Sequence, residues 1–242
     1  MTDYPDPASL QSALLHGELE LKGQFMLGSN YTFLVEVRHN GQTLQAVYKP
    51  QRGERPLWDF PEESLAKREV AAYIVSRALG WDLVPLTVLR DGPFGPGSLQ
   101  QYIEYDPKYH YFNFSESDRQ RLRPTVLFDL LANNADRKGS HVLVDEAGHI
   151  WLIDHGVCFH EEDKLRTVIW DFAGEAIPAD LLTALAGLPP ALSGTSGLRA
   201  ELGRYLSPGE IAALGKRAEK LLAKPVFPHP PRDRRAYPYP PV

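Results

Sequence analysis

The sequence predicts an α+β fold in two lobes. The first half reads as a five-stranded antiparallel sheet with one helix, and the second half as mainly helical around one short hairpin. Three observations support this. β-branched and aromatic runs separated by Gly, Asn and Pro fill residues 19–105. Capping residues and apolar positions at helical spacing dominate beyond residue 115. Between them, His-Val-Leu-Val (141–144) and Ile-Trp-Leu-Ile (150–153) flank the polar turn Asp-Glu-Ala-Gly-His, the pattern of two paired strands.

Taken in order, Leu19–Met26 and Tyr31–Val37 are β-compatible runs joined through Leu-Gly-Ser-Asn (27–30). His-Asn-Gly-Gln (39–42) is a strong hairpin signal leading into Thr43–Lys49. Pro61–Leu79 repeats apolar residues every fourth position (Val70, Ile74, Ala78) and ends at Gly80, so it predicts a helix. Val84–Leu89 and Leu99–Tyr105 are two more strands around the turn-rich 91–97. Ser115 with Asp118 resembles a capping arrangement, and Pro124 suits the first turn of a helix running to Asn133. Ala179–Leu188 and Gly197–Leu206 read as helical. Ser207-Pro208-Gly209-Glu210 is a capping box opening a final helix to Ala223. The expected organisation is a lobe over 1–106, a second over 107–224, and a tail over 225–242 holding seven of the 21 prolines. The tail is either a solvated extension or is tucked against the body through Tyr237 and Tyr239.

Composition narrows the function classes. The 242 residues carry 31 acidic and 26 basic side chains, a net charge of −5 with no sustained basic run, so affinity for nucleic acid or anionic lipid is not expected. The single cysteine, Cys158, excludes an intrachain disulfide and a thiolate metal cluster. No apolar stretch approaches the roughly 20 residues of a spanning helix, and the start MTDYPDPASL has no signal-peptide pattern. These features predict a cytoplasmic protein without stable membrane association, and a monomer.

The chemistry-bearing residues cluster. Asp136 stands in the loop before the hairpin and Asp154 where the hairpin ends, so two carboxylates can converge on one site. One can orient a hydroxyl while the other holds a metal, the division of labour that phosphoryl transfer requires. Alternatively, Asp136 is a solvated turn residue. Lys138 or Arg137 can neutralise charge developing on a transferred phosphoryl group. Asp154, after an apolar strand, needs a metal or a strong donor set. Lys49 shares a strand face with Val47 and either snorkels to solvent or is held by a carboxylate. Glu69, at the buried margin of the next helix, supplies one. Gly28, Ser29 and Asn30 form either a plain turn or an anion-binding nest over the same cleft. His141 is either a hydrogen-bonded structural residue or a ligand better suited to Mn²⁺ than to Mg²⁺. The remaining histidines show no zinc-site spacing.

Asp136-Arg137-Lys138-Gly139-Ser140-His141-Val142-Leu143 resembles the Asp-Arg-His-x-x-Asn-Ile-Leu catalytic loop of phosphatidylinositol 3- and 4-kinases. Ile153-Asp154-His155-Gly156 is similar to their Ile-Asp-Phe-Gly metal motif at the same interval. The resemblance covers about residues 20–170 and suggests a small bacterial-type member of this atypical-kinase superfamily. It implies a two-lobed protein-kinase-like fold, ATP as substrate and Mg²⁺ or Mn²⁺ as cofactor. It also implies Lys49 on the nucleotide phosphates with Glu69 as its partner, Asp136 as catalytic base and Asp154 as metal ligand. Ile103-Glu104-Tyr105-Asp106 would be a hinge holding adenine through its backbone. His141 replaces the family's metal-binding asparagine, His155 its phenylalanine and Lys138 its loop histidine. The segment VCFHEEDKLRT lacks the basic run an inositol lipid favours, so a protein or small-molecule hydroxyl is the expected acceptor. The rival expectations are a pseudokinase without turnover and an enzyme that transfers the nucleotidyl group. Fold alone does not separate these three.

Overall fold

The computed structural model describes residues 6–25, 30–195 and 197–242. Gly28 and Ser29, expected to form the anion nest, lie outside the described residues.

The sheet is antiparallel and five-stranded, formed by β1 (Glu18–Gln24), β2 (Phe33–His39), β3 (Gln42–Pro50), β4 (Thr87–Gly92) and β5 (Gly95–Gln101) in the order β1-β2-β3-β5-β4. The Asn40-Gly41 turn has positive φ at both residues (48° and 77°), as a tight hairpin between twisted strands requires. The expected second hairpin is tighter than the sequence suggested. Gly92 pairs with Gly95, so only Pro93 and Phe94 form the turn, and the strands extend into 91–97. β5 correspondingly ends at Gln101, four residues before the predicted Tyr105, and 102–106 is a connector that is neither helix nor strand.

In the second lobe α6 (Leu188–Leu192) extends beyond the predicted Ala179–Leu188, and among the described residues of the first lobe one helix was not foreseen. α1 (Pro7–His16) is capped by Asp6, whose carboxylate accepts from the N–H groups of Ala8 and Ser9. Pro7 at its first position fits a helix start. Its Leu10 and Leu14 cover Val35, Val37, Ala46 and Tyr48 on one face of the sheet. Ala46 and Tyr48 therefore carry the buried register of β3. Val47 and Lys49 lie half-buried on the opposite face, not on the core face that the sequence reading gave them.

α2 (Leu65–Ala78) begins four residues later than predicted. Glu63 takes a positive φ of 55°, and the first turn is capped from a distance by Glu54, which accepts from Leu65 and Ala66 N–H at 3.0 and 2.8 Å. Ten of its fourteen residues are buried, because the helix is wedged between the sheet and the second lobe. Ala78 is exposed and Leu79 takes its place in the core.

The second lobe comprises α3 (Glu116–Gln120), α4 (Arg123–Ala132), the hairpin β6 (Val142–Val144) and β7 (Ile150–Leu152), then α5 (Ala179–Ala186), α6 (Leu188–Leu192), α7 (Leu198–Leu202) and α8 (Pro208–Ala223). Ser115 caps α3, and Ser207 with Glu210 forms the expected capping box of α8. His141 belongs to a 3-10 turn (Gly139–His141), not to β6. Residues 225–242 hold no helix or strand but pack on this lobe through buried Phe227 and Ala236. Backbone bonds fix them: Phe227 N–H to Glu175 O (2.9 Å), Thr167 N–H to Ala236 O (3.1 Å) and Gly139 N–H to Pro241 O (2.8 Å). Tyr237 and Tyr239 are exposed, so they do not anchor the tail. Among the described residues no helix is long and apolar enough to cross a membrane.

Candidate active site

The end of β3 and the middle of α2 bring Lys49 against Glu69, and the chain after β7 brings Asp154 to the same ammonium at 3.0 Å. Burial alone would lower the Lys49 pKa. The adjacent Asp154 and Glu69 carboxylates outweigh it and hold the ammonium charged well above its ordinary value. Lys49 in turn holds the Asp154 carboxyl well below the usual carboxylate range. Glu69 is buried, whereas Asp154 is 49% exposed at the side chain and so keeps an open face. Asp154 also takes a left-handed backbone angle (φ 62°), which turns the chain sharply at the end of β7. A non-glycine residue held there marks a site worth inspecting for function.

His141 lies 3.2 Å from Asp154 through Nε2, and its Nδ1 faces the Lys138 N–H at 3.5 Å. Burial pushes the imidazole down to about 4, so it is neutral at pH 7. With Nδ1 placed as acceptor, the proton sits on Nε2 and is donated to Asp154. In this arrangement His141 orients the carboxylate. Serving as a ligand through Nε2 would need the opposite tautomer.

Asp136 follows at the base of the neighbouring cleft, with Lys138 Nζ 3.3 Å from its carboxylate. Burial raises its pKa, the Asp154 charge raises it further, and Lys138 and Arg166 oppose both. The loop is stitched to the segment beyond Gly156. Ala135 N–H donates to Val157 O (3.1 Å), Arg166 N–H to Asn134 O (2.9 Å) and Arg137 N–H to Arg166 O (3.0 Å).

Arg137 does not face the reacting groups. It is wholly buried, with its guanidinium on Asp129 (3.0–3.1 Å), Ile153 O (2.8 Å), His141 O (3.2 Å) and His155 Nε2 (2.8 Å). One side chain thus ties α4, the 3-10 turn and the Asp154 motif together. Accepting from Arg137 at Nε2 places the His155 proton on Nδ1, 3.9 Å from Glu69 Oε2, and burial keeps this ring neutral. The His155 backbone N–H donates to Glu69 (2.9 Å). Asp129, Asn134 and His155 are structural partners that the sequence reading missed. Asn134 was visible beside Asp136, but nothing in the spacing paired Arg137 with a carboxylate eight residues earlier. A second buried pair, Arg68 with Glu210, joins α2 to α8, and Arg68 also donates to Cys158 O (2.6 Å).

The expected hinge follows β5. Among the described residues, the backbone polar groups of Ile103, Glu104 and Tyr105 have no backbone partner. Asn30 caps the Arg55 N–H at 2.7 Å and borders the cleft above Asp136. Among the described residues no group of three or more His, Cys, Asp or Glu can hold a metal by protein ligands alone.

The fold is kinase-like. The crystal structure of the Helicobacter pylori proinflammatory kinase CtkA is similar with a TM-score of 0.53, at 14% sequence identity, over 88% of this chain and 94% of that one. No protein-family model matches the sequence. Protein Rv2133c of Mycobacterium tuberculosis is 40% identical over 264 residues, spanning 95% of this chain and 94% of the relative. The chain belongs to the same family as Rv2133c.

Proposed function

We propose that the chain is an ATP-dependent phosphotransferase related to the phosphatidylinositol 3- and 4-kinases, acting on a protein or small-molecule hydroxyl. The observation that carries this reading is the Lys49 ammonium shared between Glu69 and Asp154 on a kinase-like fold. It joins strand, helix and metal motif in the arrangement that phosphoryl transfer uses. Lys49 would hold nucleotide phosphates, and the backbone of Glu104 and Tyr105 the adenine. The open face of Asp154, fixed by His141 and Lys49, would hold Mg²⁺ or Mn²⁺. When bound, the cation neutralises phosphate charge. Asp136 would accept the acceptor's hydroxyl proton as its oxygen bonds the γ-phosphorus and the bond to the β-phosphate oxygen breaks, leaving ADP. Lys138 offsets the charge on Asp136 and on the moving phosphoryl group.

The test is ATP turnover with Mg²⁺ or Mn²⁺ by wild type, Asp136→Ala and Asp154→Ala. Turnover by wild type and a loss on the order of 10²–10⁴-fold in Asp136→Ala are expected. Nucleotide binding with equal absence of turnover in all three proteins would instead identify a pseudokinase.

A further inference from the structure

A cleft of about 540 Å³ is lined by Asp136 but not by Lys49 or Asp154. Its volume is in the range of small-molecule sites. Among the described residues it is lined by Asn30 and four separated stretches: the loop before α2, the Ala135–Asp136 loop, the segment after Gly156, and the proline-rich tail. Five cations line it (Arg55, Lys164, Arg166, Arg234, Arg235) against three carboxylates, in a chain whose net charge is −5. The carboxylates are already matched. Asp59 pairs with Lys164 (3.6 Å), Asp163 with Arg234 (2.6 Å) and Asp136 with Lys138 (3.3 Å). Among the described residues Arg55, Arg166 and Arg235 have no ion-pair partner. Three unpaired guanidiniums around one concavity call for an anion, and their planar forks suit a phosphate. Two exposed rings stand at the cleft, Trp58 with Lys164 5.1 Å over it and Tyr239 with Arg235 5.5 Å over it.

We infer that this cleft is the acceptor subsite and that it takes a water-soluble phosphomonoester carrying a free hydroxyl. Arg55, Arg166 and Arg235 grip the phosphate, the aromatic rings cover the body of the molecule, and Asp136 receives the hydroxyl proton. The assignment rests on the proposed phosphotransferase activity. A soluble acceptor, not a lipid headgroup, follows from the carboxylates interspersed in the cleft and from the acidic chain, which an anionic leaflet repels. No contiguous stretch of the sequence shows this cluster, because its members lie up to 180 residues apart (Arg55 to Arg235).

The experiment titrates glycerol 3-phosphate into the full chain saturated with a non-hydrolysable ATP analogue and Mg²⁺, following Trp fluorescence. Wild type is compared with Arg166→Gln/Arg235→Gln and with Arg55→Gln, each checked for an unchanged melting temperature. A parallel arm uses phosphatidylcholine vesicles containing phosphatidic acid. Binding that persists beside the nucleotide and weakens at least about tenfold in the double variant is expected, since charge-assisted hydrogen bonds are lost. Equal affinity in wild type and variants, displacement by the nucleotide analogue, or binding only to the vesicles would each overturn the assignment. If nucleotide binds none of the proteins while the variants still lose glycerol 3-phosphate, the phosphotransferase reading fails, and the acceptor role falls with it although the anion site stands.

Discussion

Arg137→Met is the sharpest probe of how this site is held together. The substitution keeps the aliphatic stem and removes the guanidinium from a position with no exposure, leaving the Asp129 carboxylate buried without its cation. Removing one partner of a buried pair typically costs about 3–5 kcal/mol, most of it the penalty on the charge left behind. The bonds to Ile153 O and His141 O are lost as well, so a value of about 4 kcal/mol is expected. At 2–4 °C per kcal/mol for a chain of this size, melting should drop by about 8–16 °C. The cost also has a sign with pH. Burial already pushes the Asp129 pKa up, and without Arg137 it rises further. The variant therefore takes up a proton at Asp129, and its deficit shrinks as pH falls from 8 to 5. Asp129→Asn/Arg137→Met, which buries no charge, should recover part of the loss. Denaturant unfolding of wild type, both single variants and the double variant at two pH values measures the coupling. A cost below about 1 kcal/mol for Arg137→Met, or a double variant as damaged as the sum of the singles at both pH values, would refute the idea that the pair is charged and coupled.

Four further outcomes follow from the geometry and from the proposed function. Lys49→Met should weaken ATP binding at least about tenfold by calorimetry, since a charge-assisted contact to phosphate is lost. It also leaves Glu69 buried beside Asp154, so melting should fall too. The acid limb of the kcat/KM–pH profile should lie above the ordinary aspartate range, because burial raises Asp136, and activity should be lost as pH falls through that value. Wild type should lose stability as pH drops from 6.5 towards 4. The unfolded chain protonates His141 over that span while the fold keeps it neutral. His141→Asn should flatten the decline by up to about 3 kcal/mol in melts across that range. Phe227→Ala should cost about 3–5 kcal/mol by denaturant titration, because the tail is anchored by a ring that is 1% exposed.

How much of this was legible beforehand follows from the range of each signal. The strands, α4 and α8 were readable because turns, caps and periodicity act within a few residues. The hairpin ends at Asp136 and Asp154 were readable for the same reason. α1 was missed although Asp6-Pro7 is a helix start, since its ten residues are too few for a clear apolar period and its face is set by packing on the sheet. The face of Lys49 was misjudged because alternation gives two faces without saying which one the lobe covers. Only α1 on one side and α2 on the other decide that. The start of α2 depended on Glu54, eleven residues before Leu65, and Arg137 on Asp129 across a helix end. Neither leaves a local pattern.

His155 illustrates how far a single departure from the family's motif can be interpreted physically. A phenylalanine there would fill space. The histidine also accepts from Arg137 and sits with its ring edge toward Phe128 at 5.6 Å, while its backbone holds Glu69. Glu69 is thereby positioned by Lys49 on one oxygen and by the His155 N–H on the other. Lys49 is positioned by Glu69 and Asp154, and Asp154 by Lys49 and His141. His141 O and Ile153 O are both bound to Arg137. The circuit closes through the buried guanidinium, so the groups facing the cleft share one support. Disturbing that support should shift nucleotide affinity and the Asp136 acid limb together, whereas a change at Arg235, which is no part of the circuit, should leave it intact. Coupled loss in Arg137→Met and its absence in Arg235→Gln is the pattern that a shared interior support, as opposed to independent surface contacts, requires.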